Sequence, residues 1–206
     1  VASARVSEGE FEAVKMICDW AQRRNLLSKV EVLGFVDGGT SVDWIYRAGC
    51  RVLNLLCKGS LKHCTQQLKK TPEEHLADIR EVLRYAEQLG ISVNVYLEDW
   101  SNGIQDSPDY VFQLMDGLVS TRICRFMLPD TLGILNPLQV IEFMRKMKKR
   151  YPDAHFDFHA HNECAGHLEG PFQCDYEHRR EPAERCEPGG GVVLGGDDSG
   201  QQAHRG

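Results

Sequence analysis

The 206-residue sequence predicts an α/β protein built around a parallel sheet. Short apolar runs alternate along the chain with longer segments whose apolar residues recur at helical spacing, which is the pattern of βαβ units. A cap residue followed by proline begins three of the helical segments, at Thr71-Pro72, Ser107-Pro108 and Asn136-Pro137. Polar residues gather where the apolar runs end, which is typical of a sheet with a site at one edge.

The predicted strands are short runs rich in Val, Ile, Leu and Phe, bounded by glycine or polar residues. They cover residues 1–3, 30–35, 52–57, 91–97, 123–128 and 156–161. Each is followed or preceded by a segment of helical periodicity, so neighbouring strands should run parallel.

The predicted helices are segments in which apolar residues recur every three or four positions. They cover residues 7–21, 41–48, 71–90, 107–118 and 136–147. Ser7 and Glu10 have the spacing of a capping box at the first helix. Thr71 as N-cap and Glu74 three residues later give the third helix the same start, and Gly90 ends it.

Residues 164–206 differ in composition from the rest of the chain. They contain no Lys, Ile, Met, Trp, Asn or Thr, hold nine Gly, and keep no strand or helix period. Such a segment cannot bury enough apolar surface to offset chain entropy, so we predict a disordered tail after an α/β domain of residues 1–163. The abrupt loss of six residue types suggests translation in a shifted reading frame, and we interpret the cysteines and histidines of the tail as chance rather than a zinc site.

The composition indicates a protein that binds small molecules. A net charge of −6 without a Lys/Arg block argues against nucleic-acid binding, and no stretch is apolar enough to span a membrane. Cysteines inside the helix and strand patterns, such as Cys18 and Cys50, are interpreted as small hydrophobic residues in a reducing cytosol. We therefore expect a cytoplasmic protein.

The run Phe-Asp-Phe-His-Ala-His-Asn at 156–162 is the most informative motif. Side chains two apart on a strand point the same way, so Asp157, His159 and His161 share one face. Two neutral imidazoles on one face can hold one divalent metal ion. The alternative is a pair of hydrogen-bonded core histidines; the position of His-x-His at the end of an apolar run favours the metal site.

Other strand ends also carry polar side chains. Asn54 lies on the strand 52–57, Glu98 ends the strand 91–97, and Thr131 follows the strand 123–128. Because the carboxyl ends of parallel strands meet at one edge, these side chains and the two histidines predict a convergent site.

Four motifs, taken in order, resemble one family. The chain reads Lys-Gly-Ser-Leu-Lys-His at 58–63, Leu-Glu-Asp at 97–99, Pro-Asp-Thr-Leu-Gly at 129–133 and His-Ala-His-Asn at 159–162. This combination resembles the HMG-CoA-lyase-like TIM barrels, in particular the 2-isopropylmalate, homocitrate and citramalate synthase branch, over residues 1–163.

The resemblance implies a partial (β/α)8 barrel, with about six of eight strands, from an acyltransferase of amino-acid (leucine-type) biosynthesis. Such an enzyme binds a divalent metal (Zn, Mg or Mn), condenses acetyl-CoA with a 2-oxo acid, and is expected to be a homodimer. The resemblance assigns His159 and His161 as metal ligands and Glu98 and Thr131 as catalytic residues. Its substrate-binding positions correspond to Asn54, Ser60, His63 and Pro129.

The chain also departs from the family pattern. The family's Arg-Asp motif would lie before Val1, its last strand would fall in the tail, and Trp100-Ser101-Asn102-Gly103 lacks the Arg that usually follows Glu-Asp. We therefore expect a chain truncated at both ends and inactive by itself. The alternatives are a non-catalytic fragment with residual ligand binding, or a lyase that cleaves a 3-hydroxy acyl-CoA.

Overall fold

A five-stranded parallel sheet organises residues 7–161, the part of the chain that this computed structural model describes. The strand order follows the chain, β1-β2-β3-β4-β5, and every neighbouring pair is parallel. The strands are β1 (Glu31–Phe35), β2 (Val52–Lys58), β3 (Ser92–Glu98), β4 (Ile123–Asp130) and β5 (Phe156–Ala160). Five of the six predicted strands are confirmed. The remaining one, predicted at residues 1–3, and the predicted tail at 164–206 lie outside the described residues.

Helices connect the strands on one side of the sheet. They are α1 (Glu8–Gln22), α2 (Thr40–Arg47), α3 (Pro72–Gln88), α4 (Trp100–Asp106), α5 (Pro108–Leu118) and α6 (Pro137–Arg150). A 3-10 turn at Leu27–Lys29 and a π-helical turn at His63–Gln67 complete the connections. All five predicted helices are confirmed, whereas α4 and the π-helical turn are additional. None of the helices within residues 7–161 is long and apolar enough to cross a membrane.

Three of the six α-helices within residues 7–161, α1, α3 and α6, begin with a side-chain cap, whereas Ser107 makes no such hydrogen bond at α5. The Thr71 hydroxyl accepts from the backbone amide of Glu74, and the Glu74 carboxylate accepts from the amide of Thr71. Asn136 and Gln139 form the same reciprocal pair at α6. At α1, Ser7 accepts from the amide of Glu10, which is the first half of the predicted box. These bonds satisfy amide donors that a helix leaves unpaired at its first turn.

The core lies between the sheet and the helices. Along β2, Leu53, Leu55 and Cys57 are fully buried, and the residues between them are only partly buried. The buried set packs with helix side chains such as Ile79 and Val111 in one cluster. The opposite side of the sheet carries the alternate residues of each strand; we call it the inner face. Alternation of this kind separates a hydrophobic side from a side that can carry polar chemistry.

The expectation that the cysteines remain reduced is wrong for Cys18, Cys50 and Cys124, all of which are disulfide-bonded. Cys18 of α1 and Cys50, just before β2, form a disulfide with a Cα–Cα distance of 5.7 Å. The two positions are 32 residues apart in sequence. Cys57 is free and buried, as predicted, and Cys64 is also free and buried.

Removing the cap of α3 should destabilise the protein. Thr71→Ala leaves the Glu74 amide without its hydroxyl acceptor, which should lower the free energy of unfolding by about 1 kcal/mol. Urea denaturation followed by circular dichroism measures this change. Thr71→Ser keeps the acceptor and should stay close to wild type; equal losses in the two variants would contradict the capping role.

Candidate active site

The carboxyl ends of the strands bring most of the predicted site residues to one edge of the sheet. Lys58 and Glu98 end β2 and β3, and their Cα positions are register partners. Pro129 of β4 is the register partner of His159 of β5. Pro129 lies beyond the last pair that β4 makes with β3, so its missing amide donor leaves no gap in that ladder.

The buried carboxylate of Asp99 is the centre of this edge. Its Oδ2 accepts from the Ser60 hydroxyl at 2.6 Å, and its Oδ1 accepts from the Asn102 amide at 2.7 Å. His63 Nε2 lies 3.4 Å from the same Oδ2. The loop and π-helical turn after β2 and the helix α4 after β3 therefore converge on one carboxylate. Ser60 and His63, which were predicted to bind substrate, face Asp99.

Thr131 is tied to the same residue. Its hydroxyl oxygen accepts from the backbone amide of Asp99 at 3.0 Å. Asp99 has a left-handed backbone conformation, with φ of 66°, which turns the chain from β3 into α4. The end of β4 and the end of β3 are thus joined through Thr131 and Asp99. The predicted catalytic pair, Glu98 and Thr131, occupies adjacent strand ends.

Glu98 forms an ion pair with Lys58. The two side chains are 26% and 18% exposed, so the pair is accessible from the inner face without being fully solvated. Lys58 is the first residue of the family motif at 58–63, and the motif by itself assigns it no role. An ion pair at this depth is screened less than one at the surface.

Glycine makes the close approach of β2 and β3 possible. The Gly59 amide donates to the Glu98 carbonyl oxygen at 2.6 Å, and a Cβ at Gly59 would collide with the Leu97 carbonyl oxygen. A Cβ at Gly103 would collide with the Gly59 carbonyl oxygen in the same way. The loop after β2 is therefore packed directly against the backbone of its neighbours.

Two buried side chains hold the backbone of Lys58. His75 Nε2 of α3 accepts from the Lys58 amide at 3.1 Å, and the Tyr110 hydroxyl of α5 donates to the Lys58 carbonyl at 2.8 Å. Burial lowers the pKa of His75 to about 4, so its ring is neutral at pH 7. Burial also raises the pKa of Tyr110, which keeps its hydroxyl a donor.

The two predicted metal ligands stack on one another. The His159 and His161 rings lie 4.9 Å apart with an interplanar angle of 21°, and Tyr96 contacts His159 edge-on at 6.4 Å. Burial, and then the charge of His161, lowers the pKa of His159. His159 Nδ1 is buried without a hydrogen-bond partner. An imidazole with an unpaired nitrogen suits a divalent metal when its ring is neutral. Within residues 7–161, however, His, Cys, Asp and Glu form no group of three that could hold one.

Asn54 lies deeper on the inner face than the other predicted residues. It donates to the Glu31 carboxylate at 3.1 Å and accepts from the Asn94 amide at 2.9 Å. Arg125 continues this layer by pairing with Glu31 and, at 3.1 Å, with Asp157. We call these five residues, one from each strand, the polar layer. In this conformation the amide of Asn54 is engaged within the polar layer, four residues before the end of β2.

Three residues of this arrangement were missed by sequence reasoning. Two of them could have been found from the sequence. Asp99 directly follows Glu98 in the family motif, and Lys58 lies at the end of a predicted strand. His75 had no such signal, because it sits within a helical stripe where histidine is most often an ordinary core residue. Only the packing of α3 against β2 brings it to Lys58.

His75 should make the protein sensitive to acid. Its pKa is about 6.5 when unfolded and about 4 when folded, so stability is full above pH 6.5 and falls as pH decreases towards 4. The difference corresponds to about 3 kcal/mol. The lowered pKa of His159 acts in the same direction, because stability falls as the pH decreases. His75→Gln keeps an acceptor for the Lys58 amide and does not titrate, so unfolding experiments at pH 7 and pH 4 should show most of the difference removed. An unchanged pH slope in the variant would contradict the assignment.

Comparisons with known proteins agree with this geometry. Residues 1–166 match the HMGL-like family. The chain is 30% identical over 122 residues to the (R)-citramalate synthase of Aquifex aeolicus, an alignment that covers 59% of this chain and 23% of that protein. It is 27% identical over 158 residues to the 2-isopropylmalate synthase of Sulfolobus acidocaldarius, covering 76% of this chain and 39% of that protein. The chain thus spans less than half the length of these relatives.

A solved structure shares the fold. The HMG-CoA lyase of Bacillus subtilis superposes with a TM-score of 0.55 at 20% identity, covering 70% of this chain and 53% of that chain. The parallel strand order and the helices on one face agree with the barrel-type α/β fold predicted from the sequence. The chain belongs to the HMGL-like family.

Proposed function

We propose that this chain is part of a metal-dependent acyltransferase that condenses acetyl-CoA with a 2-oxo acid. The observation that carries the proposal is the meeting of Glu98, Thr131 and the His159–His161 pair at the carboxyl edge of the sheet. Ligand sites in parallel α/β barrels lie at this edge. The relatives named 2-isopropylmalate synthase and (R)-citramalate synthase favour this reaction class.

Glu98 and Thr131 are proposed to act on the substrate directly. Glu98 is a carboxylate with partial exposure on the inner face, which suits a group that orients substrate or moves a proton. The Thr131 hydroxyl accepts from the Asp99 amide, so its own proton remains directed towards another acceptor. A 2-oxo acid offers such acceptors in its keto and carboxylate oxygens.

His159 and His161 are proposed to hold the divalent metal. Their rings share one face and include a buried nitrogen without a partner, which fits two positions of a coordination sphere. A metal bound there would act as a Lewis acid on the keto oxygen of the 2-oxo acid. Zn, Mg and Mn remain the candidates within this proposal.

The four residues predicted to bind substrate lie in different parts of the site. Ser60 and His63 hold Asp99 and so shape the loop beside Glu98. Pro129 lies next to His159 across the sheet, and Asn54 lies below the edge in the polar layer. We propose that these residues shape the floor and wall of the substrate pocket.

The wider setting is also part of the proposal. We propose residues 1–163 as the barrel portion, a role in amino-acid biosynthesis such as that of leucine, a homodimeric assembly and a cytoplasmic location. Family resemblance supports the first three, the cytoplasmic location rests on the expectation from the sequence, and the Cys18–Cys50 disulfide is unusual for that compartment. The charge of −6 argues against a nucleic-acid partner.

Turnover and binding measured together test the reaction class. The purified chain is mixed with acetyl-CoA, a panel of 2-oxo acids and Mg²⁺, Mn²⁺ or Zn²⁺, and CoA release is followed with a thiol reagent. Release that depends on a 2-oxo acid supports the acyltransferase. Cleavage of HMG-CoA without such release favours the rival lyase. Absence of both, together with no binding of any 2-oxo acid by calorimetry, rejects the proposed function.

Glu98→Gln should reduce turnover far more than stability. The variant keeps the shape of the side chain but loses its charge. In the intact enzyme that the family resemblance implies, kcat/KM should fall about 100-fold or more, as expected for a positioned acid-base or orienting group. The melting temperature should change little, because the ion pair with Lys58 is partly exposed. Glu87→Gln, which removes an exposed carboxylate paired with Arg122, is the matched control. Full activity in Glu98→Gln would return this residue to a structural role.

His159→Ala should weaken metal binding. Loss of one of two imidazole ligands should raise the Kd for Mn²⁺ or Zn²⁺ at least about tenfold, measured by titration calorimetry on the purified chain. His155→Ala, an exposed histidine near the start of β5, is the control and should keep wild-type affinity. Equal affinities for the wild type and His159→Ala would place the metal elsewhere.

A further inference from the structure

The ion pair of Lys58 and Glu98 leads to a further assignment. We propose that Lys58 binds the carboxylate of the 2-oxo acid, so that its ammonium group selects an anionic substrate at the edge of β2 and β3. This assignment rests on the proposed function and deepens it, since it names the group that recognises the charged end of the substrate. Three observations support it: the distribution of charge on the inner face, the partial exposure of the Lys58 side chain and the fixed backbone of Lys58.

The charge distribution on the inner face singles out Lys58. Among the inner-face residues of the described strands, the cationic side chains are Lys58 and Arg125. Arg125 lies in the polar layer and is bound to two carboxylates, those of Glu31 and Asp157. Lys58 lies at the carboxyl edge and, within residues 7–161, forms an ion pair with Glu98 alone.

The neighbouring carboxylates would repel an anionic substrate if no cation faced it. The Asp99 carboxylate is buried. It accepts hydrogen bonds from Ser60 and Asn102, and His63 lies beside it. Asp130 is likewise buried, and its carboxylate accepts from the backbone amides of the loop after β4. Glu98 remains as the carboxylate with exposed surface at this edge. A substrate carboxylate can approach Glu98 only where a positive charge compensates for it.

The Lys58 ammonium group can serve both carboxylates. An ammonium group has three N–H donors, and Glu98 takes one of them. The side chain is 18% exposed, which leaves part of the amine accessible from the inner face. A charge-assisted hydrogen bond to a substrate carboxylate would therefore add to the pair with Glu98 rather than replace a buried contact.

The backbone of Lys58 is fixed on both sides. His75 accepts from its amide and Tyr110 donates to its carbonyl, and both of these partners are buried. The next residue, Gly59, donates to the Glu98 carbonyl. Because three bonds from three elements hold this short segment, the lysine stem starts from a defined position. Preorganisation of this kind suits a residue that contacts a ligand.

The test compares a 2-oxo acid with its methyl ester, which keeps the keto group and lacks the charge. Calorimetry measures binding of pyruvate, 3-methyl-2-oxobutanoate and their methyl esters to the purified full chain, with and without Mg²⁺. Lys58→Met should weaken binding of the acid about 10- to 150-fold, the range for loss of one charge-assisted hydrogen bond, and leave ester binding unchanged. Lys58→Arg should retain most of the preference for the acid.

The control is Lys62→Met, which removes an exposed lysine four residues further along the chain and should leave both affinities unchanged. If Lys58→Met melts much earlier, the double variant Lys58→Met/Glu98→Gln removes the unpaired carboxylate and is compared with Glu98→Gln alone. Wild-type preference for the acid in Lys58→Met, or an equal loss of acid and ester, overturns the assignment while the proposed function stands. No binding of either acid or ester to the wild type overturns both.

Discussion

The buried carboxylate of Asp99 is the interaction on which the carboxyl edge of the sheet depends. A buried charge is tolerated only when hydrogen bonds replace the lost water, and here Ser60 and Asn102 donate to it while His63 lies nearby. The left-handed backbone of Asp99 also presents its amide to Thr131. Loss of this carboxylate would release the loop after β2 and the turn after β3 together.

The inner face divides into two regions with different electrostatics. Towards the amino ends of the strands, the polar layer holds Arg125 between two carboxylates, so its charges are satisfied within the sheet. A network in which each member has a partner fixes a unique arrangement of strands, because a shift in register would leave a charge unpaired. Asn54 bridges Glu31 and Asn94 in this layer. The family resemblance gives Asn54 a role with substrate, and its position allows it to support the residues directly above it.

Sequence reasoning predicted the elements whose signals are local. Caps at Thr71 and Asn136 and the shared face of His159 and His161 depend on spacing alone, and the structure has them. The short helix α4 was missed because its N-cap is Asp99, a non-glycine residue in a left-handed conformation that no sequence pattern indicates. The disulfide and the contact of His75 with Lys58 join positions that are far apart in sequence. Such contacts follow from the tertiary packing of helices and strands, which the periodicity of apolar residues does not predict.

The chemistry is expected at the carboxyl edge because the charges there can still change partners. In the polar layer every charge is bound on more than one side, and rearrangement would leave a buried ion unpaired. At the edge, Lys58 and Glu98 keep partial exposure, and His159 keeps a buried nitrogen without a partner. A ligand that enters can therefore gain hydrogen bonds without breaking any that hold the strands together. The same parallel topology that directs every strand end to one edge thus separates the groups that maintain the fold from those free to bind.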